Sequence, residues 1–170
     1  MSRRVINLLV LFLLIGMFGF FGYSIASKGG DNTDVGDQAF NFELPNLDGT
    51  NTVLSDYKGE MVVMNFFATW CAPCVDEAPE LELFAKDYGD QYKFIMINRG
   101  ETKDRVKKFI EKYPTQAVYL FDASDKVSKK YNVTGQPETI IIDRQGVVRE
   151  HHSGPVTSMQ LYEMVKKHDK

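Results

Sequence analysis

The chain has 170 residues, a formal net charge of −3 at pH 7 and only two cysteines. Its charges of both signs are scattered, with no basic stripe interleaved with aromatics, which excludes a nucleic-acid backbone as partner. Two cysteines do not make a disulfide-stapled scaffold, and once the N-terminal segment is set aside about 140 residues remain, enough for one domain around one core.

From Val5 to Ala26 no residue is charged, and Leu, Ile, Val, Phe, Gly and Met dominate behind Arg3 and Arg4. As a helix this stretch is about 33 Å long, against a bilayer hydrocarbon core of about 30 Å. Flanking positive residues stay cytoplasmic. Residues 1–27 are therefore expected to form a single-pass signal-anchor in the cell membrane, with the rest of the chain extracytoplasmic. Ser24-Ile25-Ala26 also fits a small-residue cleavage pattern, but the apolar run exceeds a signal peptide's h-region of about 7 to 15 residues, which favours the anchor. Both alternatives export the remainder of the chain. Residues 28–34 read as a flexible linker, and residues 35–170 as the folded domain.

Phe40 to Leu44 alternates, Asn46-Leu47-Asp48-Gly49 supplies a turn, and Asn51 to Leu54 completes a hairpin. Met61 to Phe67 is nearly continuous apolar, as in a central strand buried on both faces. A helix is predicted over 72–88 with Leu81, Phe84, Ala85 and Tyr88 on one stripe and a kink at Pro79. The next strand spans 93–98 and the next helix 102–113, with Val106, Phe109 and Ile110 inward, which makes a βαβ unit with a right-handed crossover. A strand over 117–121, a short helix over 124–131, a hairpin of strands 139–142 and 147–151, and a closing helix over 157–168 complete the chain. This order describes an α/β fold with a central mixed sheet flanked by helices, the thioredoxin-like architecture.

The two cysteines stand in Trp70-Cys71-Ala72-Pro73-Cys74, between the buried strand and the first helix. A helix starting there points unpaired N–H groups and its positive dipole end at Cys71, which lowers the thiol pKa. Cys71 is the expected nucleophile and Cys74, one turn on, the resolving thiol. Pro73 suits a first-turn position that needs no N–H. Half a zinc site would need further ligands, but His151, His152 and His168 lie far along the chain. Haem attachment would need a His where Val75 stands. A purely structural disulfide over so short a loop would constrain the unfolded chain little. Redox chemistry remains. His151 and His152, adjacent on a strand, point to opposite faces and read as surface residues rather than a metal pair.

The segment Asn65-Phe66-Phe67-Ala68-Thr69-Trp70-Cys71-Ala72-Pro73-Cys74, followed by Glu77 and Pro79 and later by Gly135-Gln136-Pro137, resembles the ResA/TlpA-like membrane-anchored thiol-disulfide oxidoreductases of the thioredoxin superfamily. The resemblance covers the chain from about Val35 onward. It implies that Pro137 is a cis-proline whose loop faces the cysteines, that Trp70 shapes the rim where a partner binds, and that Gln136 contacts substrate. Gln136 and Glu138 flank Pro137 where most relatives have Thr on one side, which leaves redox potential and partner preference open. Asn65 stands where cytosolic thioredoxins have a buried Asp and cannot take a proton. Glu77 matches a family glutamate that would accept the Cys74 proton; the alternative is a first-turn Glu favouring the helix dipole. Glu101 resembles a second acidic position, or is a solvated helix-start residue.

The activity implied is disulfide exchange with exported protein disulfide or dithiol substrates, without metal or organic cofactor, in the direction of a reductant recharged by a membrane electron donor. Some relatives serve cytochrome c-type biogenesis. An oxidase with the same cysteines, a peroxidase of the peroxiredoxin kind and a redox-idle binding module are the alternatives.

Overall fold

The computed structural model describes residues 32–169, and the expected membrane anchor lies outside them. No helix among the described residues is long and apolar enough to cross a membrane. Asn32 and Thr33 already contact the domain: Asn32 Nδ2 donates to Asn132 Oδ1 at 2.6 Å, and the N–H of buried Thr33 donates to Lys130 O at 2.6 Å.

A small antiparallel hairpin comes first, β1 (Glu43–Pro45) with β2 (Asn51–Val53). Its turn requires Gly49, which has φ +94°, a conformation open to glycine at no steric cost. A single 3-10 turn, Leu54–Tyr57, follows. The main sheet has five strands in the order β5-β4-β3-β6-β7. These are β3 (Val62–Phe67), β4 (Lys93–Arg99), β5 (Val118–Asp122), β6 (Glu138–Ile142) and β7 (Val148–Ser153). β3, β4 and β5 run parallel, β6 pairs antiparallel with β3, and β7 pairs antiparallel with β6. The mixed sheet expected from the order of elements is therefore present.

All six residues of β3 are buried, which explains why its sequence is a run rather than an alternation. Val63 and Phe67 join one apolar cluster with residues of α1 (Ala72–Tyr88), α2 (Lys103–Lys112) and α4 (Ser158–Lys166). Val62, Met64 and Phe66 join a second, with the N-terminal hairpin and α3 (Lys126–Lys130). The successive side chains of β3 thus feed the two halves of the core, one on each face. Asn65 is the polar exception in this strand, fully buried.

This topology brings the carboxyl ends of β3, β4 and β5 to one edge of the sheet, and antiparallel β6 contributes its start to the same edge, Glu138 pairing with Phe66. Ligand chemistry in open α/β sheets concentrates at this edge.

Candidate active site

Cys71 ends the turn that leaves β3 and occupies the N-cap of α1, with Pro73 in the first helical turn. Its Sγ accepts a hydrogen bond from the Cys74 N–H at 3.3 Å. Cys71 and Cys74 are joined as a disulfide, with Cα atoms 5.3 Å apart. Both are buried, Cys71 at 5 % exposure and Cys74 at 2 %. Cys71 is the residue at the positive end of the helix, where a thiolate gains most.

The opposite wall is the loop before β6. The Gln136–Pro137 peptide bond is cis, as the resemblance implies. Cys71 Sγ lies 3.4 Å from the Gln136 carbonyl oxygen. Two charged side chains brace this loop. Arg99, the last residue of β4, donates through Nη1 to Gly135 O at 3.0 Å and to Gln136 Oε1 at 2.9 Å, and through Nε to Asp125 Oδ1 at 3.0 Å. From below, buried Glu138 accepts through Oε1 from the N–H groups of Thr134 at 2.9 Å and Gly135 at 2.6 Å. Its other oxygen meets His151 Nε2 at 2.5 Å. His151, expected as a surface residue, keeps 21 % of its side chain exposed but is tied to Glu138.

The loop that carries the cysteines is held on its other side by Glu101. That carboxylate accepts from the Thr69 N–H and the Thr69 hydroxyl, each at 2.6 Å, and from Asn98 Nδ2 at 2.8 Å. The side chain of Glu101 is only 4 % exposed, so the solvated alternative is corrected. Gly100, at φ +70°, makes the turn that folds Glu101 back over Thr69. Trp70, next to Thr69, is turned outward at 66 % exposure, more open than a half-buried aromatic.

Glu77 lies one turn after Cys74 on α1, with only 3 % of its surface exposed. Oε1 accepts from Asn65 Nδ2 and Oε2 from the Val156 N–H, each at 3.0 Å. Burial pushes its carboxyl up to about 7, against the lowering effect of these two bonds. The dipole alternative does not describe this residue, which is inside the protein. Asn65 Nδ2 also reaches Thr139 Oγ1 at 3.2 Å, while its buried Oδ1 has no partner.

Cys71, Cys74, Trp70, Pro73, Gln136 and Pro137 thus share the sheet edge, with Glu77 behind Cys74 and Glu101 behind Thr69. Sequence reasoning passed over Arg99 and gave Glu138 only as a departure beside Pro137. The available signal was a carboxylate heading a strand of Thr and Ile residues, with a histidine on the facing strand.

The AhpC/TSA family profile matches residues 35–151. The thioredoxin-like protein YneN of Bacillus subtilis is 33 % identical over 164 residues, covering 95 % of this chain and 96 % of that protein. The thiol-disulfide oxidoreductase ResA of Bacillus thuringiensis subsp. konkukian is 32 % identical over 167 residues, covering 98 % and 96 %. Among solved structures, a putative thiol:disulfide interchange protein DsbE from Chlorobium tepidum superposes with a TM-score of 0.73 at 28 % identity, covering 80 % of this chain and 98 % of that one.

Proposed function

The chain belongs to the AhpC/TSA family, with the thioredoxin-like fold, and from that premise we propose that it is an extracytoplasmic, membrane-tethered thiol-disulfide oxidoreductase that reduces disulfides of exported proteins. The observation that carries the reading is Cys71 at a helix N-cap, its Sγ receiving the Cys74 N–H and facing the Gln136 carbonyl of a cis-proline loop. The apolar run Val5–Ala26 behind two arginines supports export and anchoring.

In the reduced protein the Cys71 thiolate attacks one sulfur of a substrate disulfide. The substrate S–S bond breaks, a mixed disulfide forms on Cys71, and the first substrate thiolate leaves and takes a proton from solvent. Glu77, with its carboxyl near 7, removes the Cys74 proton at neutral pH. The Cys74 thiolate then attacks Cys71 Sγ, closes the intramolecular disulfide and expels the second substrate thiolate. Two electrons pass from the dithiol to the substrate, and a membrane electron donor restores the dithiol. Trp70, Gln136 and Pro137 form the surface against which the substrate lies.

The test is the equilibrium reduction potential of the full chain in neutral detergent, followed by fluorescence of Trp70, the only tryptophan. A value near or below about −270 mV, the thioredoxin level, supports the reductant; one approaching about −120 mV makes the protein an oxidant. Cys74→Ser is expected to trap the mixed disulfide and Cys71→Ser to form none. A protein that consumed peroxide but left disulfides intact would sink the reading.

A further inference from the structure

A groove of about 410 Å³ is lined by Thr69, Trp70 and Val75, which flank the two cysteines in the chain, and by Arg105, Lys108, Phe109, Lys112 and Tyr113. Its apolar part comes from α1 and α2 together with exposed Trp70, which adjoins the nucleophile. Its charged part is all of one sign. Arg105, Lys108 and Lys112 project from α2 at spacings that share a helix face, while the two acidic residues of that helix, Asp104 and Glu111, are not in the lining. Arg105 approaches Glu101 only at 3.9 Å and is 68 % exposed, and the Glu101 carboxylate already binds Thr69 and Asn98. Lys112 sits 5.1 Å from the centre of the Tyr113 ring. In a chain of net charge −3, three cations around an aromatic hollow are a local reversal of sign.

We propose that this groove docks an acidic peptide segment, with an apolar side chain among its carboxylates, that flanks the target disulfide of the substrate protein. The inference rests on the disulfide-reducing reading and names the class of substrate that site prefers. Cys71 has the Gln136 carbonyl on one side and Trp70 next to it in the chain, so a segment laid across Cys71 from the Pro137 loop continues over Trp70 into the groove. There the carboxylates meet Arg105, Lys108 and Lys112, and the apolar side chain enters between Trp70, Phe109 and Tyr113. Complementary charge of this kind acts on encounter and on choice of partner, and it is screened by salt. The hollow is shallow, and its position against Trp70, next to the nucleophile in the chain, favours a peptide segment of the substrate itself.

The test uses the full chain, reduced, in neutral detergent, with two disulfide-bonded peptides that differ only in flanking residues, acidic in one and basic in the other, and with uncharged hydroxyethyl disulfide as reference. The acidic peptide is expected to be reduced faster by roughly tenfold in kcat/KM at low ionic strength, from three partly exposed charges. The ratio should collapse at about 1 M salt, where the screening length is about 3 Å. Lys108→Glu combined with Lys112→Glu is expected to invert the preference, whereas Lys107→Glu, on the same helix but outside the groove, is expected to retain it. Equal rates for the two peptides, or inversion by Lys107→Glu alone, would overturn the groove as the source of selectivity and leave the redox reading standing. Failure to reduce even hydroxyethyl disulfide would instead sink the redox reading. A double variant that changes reactivity only in phosphatidylglycerol vesicles would assign the groove to an anionic lipid surface and overturn the proposal.

Discussion

Asn65 Nδ2 donates to Glu77 Oε1 at 3.0 Å, and both residues are buried behind the disulfide. This bond and the one from Val156 hold the carboxylate without compensating its loss of hydration, so its carboxyl rises from 4.5 to about 7. A pKa raised on folding contributes stability that is fully present below the unfolded value and is lost as pH rises through the folded one. The oxidised protein is therefore expected to lose about 3 kcal/mol from this group as pH rises from about 4 to about 8. Glu77→Gln removes that slope while keeping an acceptor for Asn65. Urea unfolding at a series of pH values checks this; parallel slopes in wild type and variant would refute it.

Asn65→Asp sets a second carboxyl within hydrogen-bond distance of Glu77. Two such groups do not ionise independently, and one of the pair is held protonated to higher pH. The half-maximum of mixed-disulfide resolution, followed by stopped flow, is expected to move up by about one pH unit relative to wild type. An unmoved profile would mean that Glu77 is not the group that takes the Cys74 proton.

Helix α1 was legible almost to the residue because its signals are local. Cys71 and Pro73 mark its start, a stripe through Leu81, Phe84 and Ala85 marks its buried face, and Gly89 follows its end. Strand β3 was legible because six buried residues leave an unbroken apolar run. The braces of the site were not, since each joins distant parts of the chain. Glu101 reads as an ordinary helix-start carboxylate until the turn at Gly100 folds it onto Thr69, 32 residues earlier. Arg99 finds Gln136 only because β6 starts where β4 ends, 37 residues apart. Glu138 opens β6 one residue before the strand expected over 139–142 and meets His151, which read as a surface residue, across the hairpin, so the two support the loop above them.

Glu138→Ala removes the carboxylate that accepts from two backbone N–H groups of that loop, those of exposed Thr134 and half-buried Gly135. Both residues are partly open to water, which can take over the freed donors, so the variant is expected to lose about 1–2 kcal/mol, the net worth of the lost hydrogen bonds to a carboxylate. Disulfide exchange should fall at least about tenfold at temperatures where the variant remains folded, because the Gln136 carbonyl is no longer fixed against Cys71. Glu138→Gln keeps one acceptor and should recover most of the stability. Thermal unfolding combined with kcat/KM checks both; a stable Ala variant would show that the loop holds itself.

Arg99 reaches three acceptors with one planar fork: Asp125, the Gly135 carbonyl and the Gln136 side chain. Lysine carries the same charge but, as a point donor on a flexible stem, does not reproduce that geometry. If Arg99 acts by positioning Gln136 for the substrate, Arg99→Lys should raise KM for a peptide disulfide about fivefold, equivalent to about 1 kcal/mol, with little change in reduction potential. Arg99→Met should raise KM further. If its charge acts mainly on the Cys71 thiolate, the pattern differs: Lys preserves the potential and the KM, while Met shifts the potential toward a more reducing value, because a nearby cation favours the thiolate of the reduced form. Steady-state kinetics and redox titration on the same two variants separate the two roles, and the fork geometry commits Arg99 to the first.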